Sequence, residues 1–237
     1  MELYSGGSFR RLAAFGEISM IDWDGKASAL VFVSGCPWRC PWCHNSSLFK
    51  IADTEKVSDL MKYLSKKQKW IDGLVITGGE PLFKDDILVL LKEIKRAGFR
   101  IKLDTNGSNP KLLKKILDLD LVDYIAMDIK SALREKDYDR ATGVKACLKS
   151  VMESIEVLSS YPRHSYEFRT TLIEGIAEED EVLYNVDILP SGSLWALQSF
   201  RGENAASESM RSLPPISKNR LEALAQKLKD KGFKLRY

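Results

Sequence analysis

The chain has 237 residues, enough for one generous domain or two small ones. With 44% apolar and 29% charged residues it can bury a real core, which excludes wholesale disorder. Lys plus Arg number 36 against 33 Asp plus Glu, a net charge of +3, too balanced to make nucleic acid the main partner. No apolar run is long enough to cross a bilayer, and MELYSGGSFRRL lacks the basic-then-apolar order of a signal peptide. A cytoplasmic protein with no membrane partner is therefore expected. Four cysteines in a chain of this length are no disulfide scaffold. Cys36, Cys40 and Cys43 crowd into eight residues and Cys147 stands alone.

In chain order, Ala27–Ser34 reads as a buried strand and Val57–Lys69 as a helix. Gly73–Thr77 is a short apolar strand running into Gly78-Gly79. Lys84–Ala97 has helical spacing closed by Gly98. Arg100–Leu103 is a strand, and Pro110–Leu119 a helix with proline in its first turn. Asp123–Ile129 is a strand, Lys145–Ser159 a helix, Ser165–Leu172 a strand, and a helix spans about Glu178 to Val186. Ser193–Gln198 is a strand, Lys218–Lys231 a helix, and Phe233–Tyr237 a last strand. This alternation predicts right-handed βαβ crossovers and a mostly parallel sheet of about six units. Eight units and about 250 residues make a full barrel, so an open, partial barrel fits better. A doubly wound sheet is the rival, and periodicity does not separate the two. One domain over 1–237 is expected, with an N-terminal extension of about 1–25.

The strand ends carry the chemistry. The cysteine cluster follows the first of these strands, and Gly78-Gly79-Glu80 follows the second. Asp104-Thr105-Asn106-Gly107 follows the third, and Asp128 and Lys130 end the fourth. Arg169 lies in the fifth, and Gln198 ends the sixth. Parallel α/β folds bind ligands outside the carboxyl ends of their strands, so six such groups predict one active site.

Cys36-x3-Cys40-x2-Cys43 puts three thiols in one loop, compacted by Pro37, Trp38, Pro41 and Trp42. A structural zinc wants four protein ligands; His44 is badly placed beside Cys43, and Cys147 is remote in sequence. An iron–sulfur cubane has four irons, so three cysteines leave one iron open. A zinc-binding interaction module remains the non-enzyme alternative.

CPWRCPWC resembles the C-x3-C-x-aromatic-C motif of the radical S-adenosylmethionine (radical SAM) enzymes, with Trp42 as the aromatic residue. The resemblance implies a partial (β/α)6, TIM-like barrel. It also implies that Cys36, Cys40 and Cys43 hold a [4Fe–4S] cluster whose fourth iron chelates S-adenosylmethionine. In that family one electron cleaves the sulfonium and yields a 5′-deoxyadenosyl radical, the cofactor carrying the chemistry. Gly78-Gly79-Glu80-Pro81 matches the motif that meets the cofactor's ammonium, although a plain turn with Glu80 at a helix N-terminus has the same look. Asp104, Thr105 and Asn106 are expected to line the cofactor pocket; an Asx turn and cap is the plain reading. Asp128-Ile129-Lys130 resembles a motif of glycyl-radical-enzyme activases that contacts S-adenosylmethionine and takes part in cation binding. Arg169 is expected to meet the cofactor carboxylate or guide the radical, or else to cover the barrel end. Gln198 resembles a sixth-strand residue near the ribose. His44, with Asn45, completes a CHN triplet expected beside the cofactor, or else hydrogen-bonded to the loop backbone.

The stretches ISMIDWDGKASALVFVSGCPWRCPWCHN and KLDTNGSNPKLLKKILDLDLVDYIAMDIKSA are similar to one branch of activases. That branch activates anaerobic (class III) ribonucleoside-triphosphate reductase. The resemblance implies removal of a hydrogen atom from a glycine Cα of the partner enzyme, with a flavodoxin- or ferredoxin-type electron donor. Activation of pyruvate formate-lyase uses a similar motif set. A small-molecule radical enzyme of the deazaguanine-synthase kind is the other enzymatic alternative. Cys147 reads as a small buried hydrophobe, and the basic Lys218–Arg236 tail as a solvated helix face.

Overall fold

The computed structural model describes residues 8–145 and 147–237; the first seven residues of the expected N-terminal extension lie outside them. The chain packs as two compact units. One comprises residues 8–37, 47–105 and 111–124, the other 38–46, 106–110 and 125–237.

The first unit opens with β1 (Leu12–Ser19), an antiparallel strand beside β2 (Ser28–Val33). Sequence reading left β1 inside the extension, for a physical reason. It is an irregular strand with two register shifts and Gly16 at φ +117°, so apolar alternation is broken. Its register is held by Thr54 and Glu55, whose N–H groups donate to the Leu12 carbonyl, and by the Tyr63 hydroxyl on the Gly16 carbonyl at 2.7 Å. After α1 (Val57–Lys67) comes β3 (Gly73–Gly78), parallel to β2 from Ser28↔Gly73 to Val33↔Gly78. The five apolar side chains of α2 (Ile87–Arg96) at positions 87, 88, 90, 91 and 94 form one buried face. β4 (Arg100–Thr105) pairs in parallel with β3, and α3 (Pro110–Asp118) begins on proline. Gly73 has no room for a side chain, since a Cβ there would lie 2.6 Å from the Arg100 carbonyl oxygen. Trp23, Leu30 and Val75 form a buried apolar cluster, with Phe32 and Tyr124 packed against it.

The second unit takes up most of β5 (Tyr124–Asp128), followed by α4 (Glu135–Thr142) and α5 (Leu148–Ser159). The expected helix from Lys145 starts three residues later, with Cys147 at its N-cap. α4 was not foreseen, because EKDYDRAT shows a polar surface with only Tyr138, Ala141 and Thr142 buried. β6 (Tyr166–Leu172), α6 (Glu179–Tyr184), β7 (Leu194–Ser199), the single turn α7 (Glu208–Arg211), α8 (Lys218–Asp230) and β8 (Lys234–Arg236) complete it. β5, β6, β7 and β8 run parallel in that order. Two capping devices fix helix starts here. Glu178 and Glu181 form a reciprocal capping box on α6, and the Ser217 hydroxyl accepts from the Arg220 N–H on α8. Part of the basic C-terminal segment is not simply solvated. Arg236 makes a two-pronged contact with the Glu167 carboxylate at 2.7 and 2.8 Å, and Arg220 and Lys227 pair with Glu178 and Glu179.

Candidate active site

In the first unit the ends of β2 and β3 continue as a backbone ladder beyond the strands themselves. The Gly79 N–H donates to the Val33 carbonyl and the Glu80 N–H to the Gly35 carbonyl, both at 2.8 Å. The Gly35 and Cys36 N–H groups reach back to the Leu48 and Phe49 carbonyls. This closeness explains the glycines. A Cβ on Gly78, which sits at φ +121°, would fall 2.4 Å from the Val33 oxygen, and one on Gly79 2.5 Å from the Gly35 oxygen. The arm that carries Cys36 is thus locked to the segment that carries Glu80.

The Glu80 side chain is 1% exposed. Its Oε1 accepts from the Leu82 N–H at 2.9 Å and the Thr105 hydroxyl at 2.7 Å, capping a short 3-10 turn that starts at Pro81. The plain capping reading of Glu80 is therefore geometrically real. It also ties the β3 and β4 ends together through Thr105. Asp104 is buried and lies 3.7 Å from the Lys102 ammonium, itself buried against the Asp22 carbonyl. Sequence reading missed Lys102, whose alternation with Asp104 along β4 was the available signal.

In the second unit, residues 38–46 carry Cys40 and Cys43. Their turn is closed by the Cys43 N–H on the Cys40 carbonyl at 3.1 Å. The loop docks on the C-terminus of α4. The Trp42 indole N–H donates to the Ala141 carbonyl at 3.1 Å, and the Arg39 N–H to the Thr142 carbonyl at 2.8 Å. Gly143 ends α4 in the left-handed region at φ +68°, and a Cβ there would meet the Arg39 oxygen at 2.5 Å. Trp38 packs edge-on against Tyr138 at 6.1 Å between centroids. The Pro41 carbonyl accepts from the Ser207 N–H. His44 meets backbone outside its own loop. It is exposed, its Nε2 bonds the Arg201 carbonyl, and its ring lies 5.7 Å from that of Phe200.

The charged residues beside this loop follow from strand register. Asp128 and Arg169 are direct partners in the β5–β6 ladder, so their side chains share a face. The Arg169 Nε–H donates to Asp128 Oδ1 and the Lys130 ammonium to Oδ2, each at 2.8 Å. The Ile129 backbone is pinned by the Arg169 carbonyl and the Thr170 hydroxyl, and the Lys130 N–H by the Tyr138 hydroxyl. The Lys130 ammonium stands 4.7 Å from the Trp42 ring centroid, a cation–π contact. Burial pushes the Asp128 carboxyl up, but Arg169 and Lys130 outweigh it and hold the group far below the usual carboxylate range. Burial likewise opposes the Lys130 charge, yet Asp128 and the thiols of Cys40 and Cys43 together raise its affinity for a proton. Burial raises the Cys43 thiol, against the pull of the Asn45 backbone and Lys130. Asn106 forms the expected Asx turn, its Oδ1 accepting from the Ser108 N–H at 2.9 Å. Gln198 is exposed at the end of β7, opposite Thr171 in register. Cys147 is buried, with its Sγ 3.4 Å from the Thr142 hydroxyl.

The donors on this loop fit a thiolate-ligated iron–sulfur group. Two thiols lie on one closed turn, and the Lys130 ammonium is favourable to both as thiolates. None of the four cysteines forms a disulfide. Among the described residues, no three His, Cys, Asp or Glu side chains gather as a site for a single metal ion. No helix among them is long and apolar enough to cross a membrane.

The Asp128 carboxyl gives a pH test on the protein as folded without cofactor. A carboxyl held below its unfolded value of about 3.9 contributes stability that is complete above that pH and is lost as the pH falls further. Asp128→Asn is expected to cost about 1–3 kcal/mol at pH 7, the scale for opening a half-buried ion pair. The thermal midpoints of the two proteins should begin to converge below about pH 4 and come closer as the pH is lowered toward about 2. A gap unchanged by acid would mean that the carboxylate charge does not hold the group.

A family model described as the radical SAM superfamily matches residues 30–185, which include every expected site residue except Gln198. A Methanocaldococcus jannaschii protein assigned provisionally as a glycyl-radical enzyme activating enzyme is 29% identical over 216 residues, covering 89% of this chain and 88% of that one. The pyruvate formate-lyase-activating enzyme of Listeria monocytogenes is 33% identical over 119 residues, 45% of this chain and 48% of that one. Among solved structures, TYW1 with a lysine-pyruvate adduct bound superposes with a TM-score of 0.62 over 86% of this chain and 73% of that one, at 19% identity. That likeness speaks for the fold, the α/β partial barrel expected over the doubly wound sheet. The relatives support kinship with glycyl-radical-enzyme activases in general, and do not single out the branch that activates anaerobic ribonucleotide reductase. The chain belongs to the radical SAM superfamily and carries its catalytic oxidoreductase domain.

Proposed function

We propose that this protein is an activase that takes a hydrogen atom from a backbone glycine of a partner enzyme and leaves a glycyl radical there. The observation that carries the reading is the closed Cys40–Cys43 turn, seated on α4, with the Asp128-held Lys130 ammonium beside its thiols. The kinship with proteins named for glycyl-radical activation supports the choice of substrate. Pyruvate formate-lyase or another glycyl radical enzyme is a better-supported partner than anaerobic ribonucleotide reductase.

Cys36, Cys40 and Cys43 would hold a [4Fe–4S] cluster, and that group, when bound and reduced, would supply the electron for reductive cleavage of S-adenosylmethionine. The chain's own residues do the rest. Lys130 offsets the negative charge of the thiolates, and Asp128 with Arg169 holds Lys130 charged and in place. Trp42 covers the ammonium and fixes the turn to α4. Glu80, Thr105, Asp104 and Asn106 present acceptors for an ammonium and for ribose hydroxyls, and Gly78 and Gly79 let the backbone come close. A flavodoxin- or ferredoxin-type protein donates the electron in this reading.

Two substitutions test it. Cys40→Ala is expected to leave the fold intact, since the residue sits on a loop, and to abolish loading of four irons on anaerobic reconstitution. Full iron content in this variant would overturn the cluster assignment. In Glu80→Gln the amide oxygen can still cap the 3-10 turn while the charge is lost. S-adenosylmethionine affinity should fall about tenfold, the scale of one charge-assisted hydrogen bond, with the thermal midpoint little changed. Equal affinity would make Glu80 a cap and nothing more. Loaded protein that turns S-adenosylmethionine over, yet raises no glycyl radical signal on any glycyl radical enzyme, would move the assignment to a small-molecule substrate.

A further inference from the structure

Arg11 immediately precedes β1, the antiparallel strand, and its side chain is 1% exposed. Its fork is shared between backbone carbonyls and the Asp86 carboxylate. Nη1 donates to the Ser34 carbonyl at 2.9 Å and reaches the Glu80 carbonyl at 3.4 Å. Nη2 donates to the Pro81 carbonyl at 3.0 Å and reaches that of Lys84 at 3.5 Å. Nε meets both Asp86 oxygens at 3.0 and 3.2 Å, and Nη2 lies 2.9 Å from Oδ1. The Arg11 carbonyl in turn accepts from the Ser34 N–H at 2.8 Å. Ser34 lies two residues before Cys36, and Glu80-Pro81 is the turn whose carboxylate faces Thr105. One guanidinium therefore ties the root of the first cysteine's arm to the root of the glutamate.

Bridging these two segments is not required for the core. The β2–β3 ladder already joins them up to Gly79 and Glu80, and apolar packing lies along the strands. A buried cation serves where several carbonyls converge and must keep a fixed spacing, and a planar five-donor fork does this where an ammonium does not. We infer that Arg11 is a positioning residue for the cofactor site. It acts through the Ser34 and Glu80-Pro81 carbonyls to set the spacing between the Cys36 arm and the Glu80 carboxylate. Asp86 is the outer anchor that orients the fork. The inference rests on the proposed reading of Glu80 and Cys36.

The test uses the full chain, reconstituted anaerobically, as wild type, Arg11→Lys and Asp86→Asn. Three quantities are read for each: iron content, thermal midpoint, and the dissociation constant for S-adenosylmethionine. Arg11→Lys should load its irons and lose about tenfold in affinity. Asp86→Asn, which keeps the guanidinium but removes its counter-charge, should lower the midpoint further than Arg11→Lys and yet lose only about threefold in affinity. A purely structural role would make affinity follow the midpoint across the set, and positioning separates the two. The change that S-adenosylmethionine produces in the electron paramagnetic resonance spectrum of the reduced cluster should be weaker in Arg11→Lys than in wild type. If Arg11→Lys does not fold, Asp86→Asn decides alone. Wild-type affinity in a folded Arg11→Lys, or in Asp86→Asn when that variant decides, overturns the inference and leaves the activase reading standing. A loaded wild type that does not bind S-adenosylmethionine overturns that reading, and the inference with it.

Discussion

The cysteine loop has almost no core of its own, and the structure depends on how it borrows one. The last carbonyls of an α-helix have no partner within the helix. α4 offers those of Asp139, Ala141 and Thr142; Gly143 takes the first, the Trp42 indole the second and the Arg39 N–H the third. The loop thus satisfies the helix end and the helix end shapes the loop. Each bond of this kind is worth about 1 kcal/mol net, and leaving such a group buried and unpaired costs more. The same helix buries Tyr138, whose ring meets Trp38 and whose hydroxyl holds the Lys130 backbone. Thiols, indole and ammonium therefore share one foundation, and an error in α4 would reach all three.

Charge is arranged by a second constraint, the parallel register. Because Asp128 and Arg169 are ladder partners, a carboxylate and a guanidinium meet without any loop having to bring them together. Lys130, two residues later, is then fixed between that carboxylate and the Trp42 ring. Buried charges persist only when paired and hydrogen-bonded, and here one anion serves two cations, leaving net positive charge in this cluster. The first unit uses the opposite economy: Arg11 is neutralised by Asp86 while its remaining donors organise backbone carbonyls.

Much of this was legible in the residues. The apolar strands β2 to β7 and the groups at their carboxyl ends follow from periodicity, and the C-x3-C-x2-C spacing and GGEP from the motif itself. The observed strands end within a residue or two of the expected ones, because Gly78, Gly107 and Asp128 interrupt the apolar pattern where the backbone must turn. What escaped has physical causes. β1 is an irregular edge strand with few buried positions, and α4 is a polar helix whose purpose is its C-terminus rather than an apolar face. Arg11 escaped because nothing local in FRRL announces that four carbonyls will converge on it. The contact of His44 with the Arg201 carbonyl also escaped, since the two residues are 157 positions apart in the chain.

The central claim is that the cysteine loop and the strand ends serve reductive cleavage of S-adenosylmethionine. The most direct measurement is anaerobic reconstitution with iron and sulfide, followed by reduction in the presence of S-adenosylmethionine and assay of the small-molecule products. The account predicts four irons per chain and the appearance of 5′-deoxyadenosine and methionine. Four irons without 5′-deoxyadenosine, or zinc taken up in place of iron, would contradict it.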